Sequence, residues 1–336
     1  MTFDINNRRY TGSKYKLSDW IVELIDKNCT GNSFCDIFAG TSIISYKMLK
    51  KVKHLILNDF LFSNNTIYKA FYGKGIYDLS KLESIAAKYI EKNANKLGDN
   101  YMSRNFGGKF FSYHDAKMIG YIRNNIESLK AKITEKEYDI LLTSLLYSSD
   151  KAANTVGHYD AYIKGKAIPD KFFFQLIKPI DTKDTIVDIY REDSNKLANT
   201  LKCDIVYIDP PYNSRQYSRF YHVLENLTKW EKPKLEGVAL KPKPENMSEY
   251  CRSAASEVFK ELIDKLNCKY IVVSYNNTYD SKSKSSENKM DLEFIKETLK
   301  NKGKLEIFEK AHSFFNTGKT NFTNHKEYIF IVKVGS

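Results

Sequence analysis

Long apolar runs are missing from this chain. None of its 336 residues lies in a stretch approaching the roughly 18 consecutive apolar residues of a membrane span. The first residues, Met1-Thr-Phe-Asp-Ile-Asn-Asn, lack the basic-then-apolar layout of a secretory leader, so a cytoplasmic protein is expected. Cysteine is scarce: Cys29, Cys35, Cys203, Cys251 and Cys268 are odd in number and never form a C-x-x-C pair. That excludes a disulfide framework and leaves no zinc signature, and the six histidines show no ligand spacing either. No structural metal is expected. The dinucleotide fingerprint G-x-G-x-x-G is absent. Arginine is also rare, with eight among the 53 basic residues. What is plentiful is lysine, giving a net charge of +12 and a pI near 9.1, which favours a polyanionic partner.

The most informative stretch is Asp204-Ile-Val-Tyr-Ile-Asp-Pro-Pro-Tyr212. Residues 205–208 form a short buried-strand pattern, and the two prolines stop it, because proline cannot donate to a sheet ladder. Asp209 and Tyr212 then stand on a stiff turn at a carboxyl strand end, where open α/β sheets bind their ligands. A solvated acid beside a plain Pro-Pro turn is the competing reading. Upstream, Phe34-Cys-Asp-Ile-Phe-Ala-Gly-Thr-Ser42 reads as strand, small-residue turn and helix. The next strand, 54–58, ends at Asn58-Asp59, where an acid suits paired ribose hydroxyls. Strand, glycine turn, helix, strand and acid make a nucleoside-binding half-unit. The Gly12-Ser13 turn, with Lys14 beside it, precedes a helical period and could hold an anion.

Further strands are expected at 185–190, 204–208, 270–275, 305–311 and 326–334, the last two antiparallel because 312–325 shows no helical period. Between 61 and 184 helical periods recur, near 60–72, 78–95, 113–130 and 134–150, with no confident strand. Residues 93–108 read as a polar loop, and 155–166 mixes basic and aromatic residues as nucleic-acid contacts do. Ser281-Lys-Ser-Lys-Ser-Ser286 reads as a short mobile loop. His222 and Glu225, three apart on a helix, read as a hydrogen-bonded structural pair.

Tyr10-Thr-Gly-Ser-Lys14, Asp36-Ile-Phe-Ala-Gly40, Asn58-Asp59 and Asp209-Pro-Pro-Tyr212, in that order, resemble the Dam-like α-group of N6-adenine DNA methyltransferases. The likeness covers about 1–60 and 185–336. A second glycine common after the glycine motif is replaced here by threonine. The resemblance implies a Rossmann-like α/β fold: a seven-stranded, mostly parallel sheet with an antiparallel last strand. On it, 1–60 and 185–336 form a discontinuous catalytic domain, and 61–184 is a mainly helical insertion that recognises the DNA target. S-adenosylmethionine is the implied cofactor, contacted by Tyr10, Lys14, Asp36, Phe38, Gly40, Asp59, Asp209 and Asp193, with Glu192 or Asp188 able to replace the last.

Adenine N6 is a poor nucleophile, because its lone pair is delocalised into the ring. Asp209 and the Pro210 carbonyl are expected to accept its two hydrogens, and Tyr212 to stack on a base flipped out of the duplex. Arg215 and Arg219 are the phosphate or guanine candidates, with Tyr217, His158 and Lys164 as further DNA contacts. Ser274-Tyr-Asn-Asn277 could line the base pocket. Double-stranded DNA is the expected partner, with a cognate restriction endonuclease as a second, and the setting bacterial or phage-like. An RNA methyltransferase acting on adenine N6 or guanine N2 is the alternative, and a non-enzymatic DNA-binding module a third class.

Overall fold

The structure, a computed structural model, describes residues 2–277, 288–311 and 325–335. The 281–286 segment and the 312–324 connection lie outside the described residues. The chain divides into two compact units. One contains Lys14–Phe60, Thr182–Gln216 and Asn246–Ser336; the other contains Met1–Ser13, Leu61–Asp181 and Tyr217–Glu245. Residues 1–13 and 217–245 therefore group with the helical segment, beyond the 61–184 bounds expected for it.

The first unit holds a seven-stranded sheet in the order β3-β2-β1-β4-β5-β7-β6. Its strands are β1 (Ser33–Asp36), β2 (His54–Asn58), β3 (Ile186–Tyr190), β4 (Ile205–Ile208), β5 (Tyr270–Asn276), β6 (Gly303–Ala311) and β7 (Lys326–Val334). β3 through β5 run parallel across the sheet, and β7 is antiparallel to both β5 and β6. Central β4, Ile-Val-Tyr-Ile, is buried at every position, as a strand covered on both faces must be. β6 is mostly exposed and carries Lys304, Glu306, Glu309 and Lys310, charges that keep an edge strand from pairing further.

Helices α1 (Ser18–Asn28), α2 (Ile43–Met48), α8 (Ser194–Leu197), α11 (Ala255–Lys265) and α12 (Leu292–Lys300) belong to the same unit. Phe259 and Ile263 of α11 and Ile295 and Leu299 of α12 pack with Val206, Val273 and Phe330 of the sheet. Each such buried side chain contributes roughly 1.5–3 kcal/mol relative to exposure.

The second unit is built from α3 (Phe62–Tyr72), α4 (Leu79–Ile90), α5 (Tyr101–Phe106), α6 (Tyr113–Leu129), α7 (Glu135–Ala152), α9 (Tyr217–Phe220) and α10 (His222–Lys229). Among its described residues there is no strand beyond isolated bridges. α7 is buried on nearly all sides and starts at a capping box, in which Thr134 and Glu137 satisfy each other's backbone amides. α5 falls inside the stretch read as loop. Its start signal was Asn100, three residues before Ser103, which forms a second capping box. Among the described residues no helix is long and apolar enough to cross a membrane.

Candidate active site

The sheet reverses direction of growth at β1, which has β2 on one side and β4 on the other. Such a switch point opens a crevice at the carboxyl strand ends. After β1 the chain turns sharply. Gly40 takes a left-handed φ of 52° and Ser42 one of 56°, and Ser42 N donates to Ala39 O at 2.6 Å. A side chain at Gly40 would be strained in that region. Asp59, just past β2, accepts from Gly40 N at 3.0 Å, while Ala39 N donates to Asn58 O at 2.9 Å. The glycine turn and the acid are thereby locked together.

Across the switch point stands the turn after β4. Lys14 Nζ lies 3.1 Å from Asp209 Oδ1, and the Tyr212 hydroxyl donates to the same oxygen at 2.5 Å. Both partners use Oδ1; Asp209 Oδ2 takes no bond from the described residues. The Lys14 ammonium also lies 4.8 Å from the centre of the Tyr212 ring, which Tyr275 supports from 4.6 Å. Lys14 is almost entirely buried. Burial opposes its charge, but Asp209 and Glu327 outweigh that cost and hold the ammonium above its ordinary range. Burial, reinforced by Asp209, raises Tyr212 well above the usual phenol range, so it stays a donor. Asp36 is buried, accepts from Ser45 Oγ at 2.7 Å, and has no partner for Oδ1 among the described residues. Burial first, then Asp209 and Asp59, pushes its acid up to about 7.

The other expected cofactor residues divide. Phe38 meets Tyr250 edge-on at 5.0 Å. Asp193 caps α8, accepting from Asn195 N at 3.0 Å and Lys196 N at 3.2 Å. Of its alternatives, Asp188 meets His54 Nε2 at 2.7 Å, while Glu192 exchanges two bonds with the Asn58 side chain through its backbone alone. Tyr10 belongs to the helical unit. Its ring stacks on Tyr221 at 4.7 Å and on Tyr217 at 5.4 Å, with the Arg8 guanidinium 4.9 Å from its centre. Thr11 is clamped by the same pair, Tyr221 Oη accepting from its amide and Tyr217 Oη donating to its carbonyl. Gly12, at φ 81°, has Tyr217 Oη 3.0 Å from where a Cβ would stand.

Of the expected DNA contacts, Arg219 donates to the Pro242 carbonyl, and His158 stacks on Phe220 at 4.6 Å. Lys164 is exposed, with its ammonium 5.8 Å from the Tyr162 ring. Arg215 is half-buried, its amide donating to Asn213 Oδ1 at 3.1 Å. In the 155–166 segment Tyr159 is core, buried and bonded to Asp150. The expected His222–Glu225 pair is corrected. His222 Nδ1 meets the Arg219 carbonyl, and burial lowers the imidazole to about 4; Glu225 accepts from Phe62 N and Ser63 N at the start of α3. The helix start at 62 needed an anion more than the histidine did. Ser274 lies 3.4 Å from the Tyr212 hydroxyl. His114, Asp115 and Asp170 gather ligand atoms in one place, but Asp115 is spent on the Lys171 and Phe172 amides and Asp170 on Ser112.

Sequence reasoning passed over Glu327, Tyr221 and Arg8. Glu327 carried a usable signal, since it occupies an inward position two before Ile329 and four before Ile331 on a strand of period two.

A sheet of this order, with a glycine turn after β1 tied to an acid after β2 and an acid–Pro–Pro–Tyr turn after β4, defines an α/β methyltransferase. Residues 10–302 match the model of the D12 class N6 adenine-specific DNA methyltransferases, and the chain belongs to that family. Its relatives include type II methyltransferase M.NlaIII of Neisseria lactamica, 30% identical over 96% of this chain and 98% of that one. M.CviAII of Paramecium bursaria Chlorella virus 1 is 31% identical over 98% of this chain and 99% of its own. M.FokI of Planomicrobium okeanokoites is 30% identical over 97% of this chain, which spans 52% of that longer protein.

Proposed function

We propose that this methyltransferase uses Asp209, Pro210 and Tyr212 to methylate N6 of an adenine flipped out of double-stranded DNA, with S-adenosylmethionine as donor. The observation that carries the reading is the division of labour on Asp209. Lys14 and Tyr212 fix Oδ1, and Oδ2 is left as an acceptor at a carboxyl strand end. An amine hydrogen accepted there, with the second accepted by the Pro210 carbonyl, draws the lone pair out of ring conjugation. The prolines keep that carbonyl in place, so little reorganisation accompanies reaction. Tyr212 offers its ring to the base, a stacking contact worth about 1–3 kcal/mol. The target atom is inaccessible inside a duplex, which is why flipping is required.

The residues at the β1 and β2 ends fit the proposed cofactor. Asp36 presents a buried Oδ1 without a partner among the described residues, a feature suited to an ammonium or hydroxyl. Asp59 suits the ribose hydroxyls, Gly40 leaves room beside it, and we assign Phe38 and Asp193 to the adenine. Bound S-adenosylmethionine supplies an electrophilic methyl on a sulfonium. The ion pair of Lys14 with Asp209 favours a role in holding that carboxylate in place, while Tyr10 is stacked within the helical unit.

The order of motifs supports a place in the Dam-like α-group. We assign target recognition to the helical unit and phosphate contact to Arg215, Arg219 and Lys164. His158 and Tyr217, stacked on protein rings, brace those contacts. The relatives' names as type II methyltransferases and modification methylases support a role beside a cognate restriction endonuclease, and we place that role in the cytoplasm. The test is transfer of labelled methyl groups to duplex DNA in competition with structured RNA. Label in DNA as N6-methyladenine, absent with Asp209→Ala, is the expected result; retention of label by that variant, or preferential labelling of RNA, overturns the reading.

A further inference from the structure

Glu327 lies on β7 directly opposite Asn276 of β5. Cross-strand partners share a face of the sheet, and so do residues two apart on one strand. Glu327 therefore stands on the face that carries Ser274, whose hydroxyl lies 3.4 Å from Tyr212 Oη. It is buried, and its Oε2 has no hydrogen-bond partner among the described residues. A buried carboxylate oxygen left unpartnered is costly, so its retention calls for a function. The charged groups around it explain one. Lys14 attracts it and Asp209 repels it, while Asn276 bonds it from β5. Tyr207 on β4 and Tyr212 beyond β4 feel its charge, and Lys310 stands opposite it on exposed β6. One ammonium, that of Lys14, thus answers two carboxylates.

We propose that Glu327 is a positioning residue for methyl transfer: it draws the Lys14 charge toward β7, so that Asp209 keeps enough negative charge to accept the adenine amine hydrogen. The inference rests on the function proposed for Asp209. With Glu327 ionised, Lys14 is shared between two acids and Asp209 remains a strong acceptor. With Glu327 protonated, Lys14 belongs to Asp209 alone and weakens it. Burial pushes the Glu327 acid up to about 7, so the exchange between these two conditions falls at neutral pH. The sign follows: the rate rises with pH as Glu327 loses its proton.

The experiment is single-turnover methylation of duplex DNA at saturating S-adenosylmethionine, followed across the neutral pH range for the unaltered chain, Glu327→Gln and Glu327→Asp. The unaltered rate is expected to climb about tenfold, the effect of one pKa unit of charge interaction on an acceptor. Glu327→Gln should lose that climb and stay on the low-pH plateau, while Glu327→Asp should regain it. A structural role alone would lower the melting temperature without removing the titration. A Glu327→Gln profile that follows the unaltered one overturns the proposal. So does a flat profile for the unaltered chain, which needs no variant to fold. Absence of any DNA methylation by the unaltered chain overturns the underlying reading of function, and is thereby told apart from failure of Glu327 alone.

Discussion

The two ends of the parallel strands treat their acids in opposite ways. At the amino end, Asp204 immediately precedes β4 with its carboxylate surrounded by donors. Asn32 N reaches it at 2.7 Å, Ser33 N and Oγ both at 3.1 Å, and Lys269 Nζ at 2.8 Å. Lys269 first, with the Asn32 and Ser33 donors, lowers this acid to about 2. At the carboxyl end Asp209 and Glu327 share the charge of Lys14, Asp36 Oδ1 has no hydrogen-bond partner among the described residues, and burial pushes Asp36 and Glu327 up to about 7. An acid with every oxygen satisfied ties strands together; acids short of donors hold a place for something that arrives later. The same residue type serves stability at one edge and chemistry at the other.

The sharpest way to break this contrast is Asp209→Ala. Removing the acceptor should slow methyl transfer roughly a thousandfold, the scale of losing one preorganised group at a reacting centre. The melting temperature should fall as well, because the buried Lys14 ammonium loses its nearest counter-charge. A variant that keeps its rate but melts early would reverse the roles assigned to the two edges.

Asp204→Ala is the mirror test. It should leave the single-turnover rate unchanged and lower stability by about 2 kcal/mol, the worth of charge-assisted hydrogen bonds to a carboxylate. The folded acid titrates below its unfolded value, so its contribution is whole above about pH 4 and is lost as pH falls toward the folded value. Chemical denaturation of both proteins should therefore converge in acid and separate at neutral pH. A gap that persists unchanged at low pH would mean the carboxylate is not what ties β1, β4 and β5.

This contrast between edges was only half legible in the sequence. Each strand was visible as an apolar run bounded by turns, and Pro210 and Pro211 marked where β4 must stop. Gly40 and Asp59 stood at the right strand ends for the same local reason. Pairings across long separations were not legible: Pro210 and Pro211 mark Asp209 as the acid at the carboxyl end, but no local pattern shows which donors reach Asp204 or Asp209. Only the sheet brings Asn32, Ser33 and Lys269 to the first, and Lys14 to the second. The arginines mislead for a related reason. Arg123 adds to the positive charge counted in the sequence, yet it is buried and bonded to the Leu227 carbonyl, Glu127 and Tyr138. Composition counts charges without saying which ones face inward.

Asp36→Asn probes an unsatisfied acid with a smaller expected effect. Its acid is raised in the fold, so ionisation works against folding, and the penalty grows from about pH 4 up to the folded value near 7. Asparagine keeps an oxygen for the Ser45 hydroxyl and carries no charge. The protein without cofactor should gain about 1 kcal/mol above neutral pH and nothing in acid. Calorimetry should meanwhile show S-adenosylmethionine binding about tenfold more weakly, the loss of one hydrogen bond to a charged group. Lower stability at high pH would show that the Asp36 charge already has its partner.

Glu225 extends the comparison into the helical unit, where a satisfied acid should behave like Asp204 on a smaller scale. Its two oxygens accept from Phe62 N and Ser63 N, the first amides of α3, at 3.0 and 2.8 Å. These amides have no partner inside their own helix, and the helix dipole adds a favourable field for an anion. Glu225→Gln keeps one acceptor oxygen and the side-chain length but removes the charge. The expected cost is about 1–2 kcal/mol, the value of a charge at a helix start in a buried setting, and added salt should change it little. Methyl transfer should be untouched, because both oxygens are committed to the first amides of α3. If Glu225→Gln slowed the single-turnover rate without lowering the melting temperature, acids satisfied by backbone donors could no longer be separated from those that serve the chemistry.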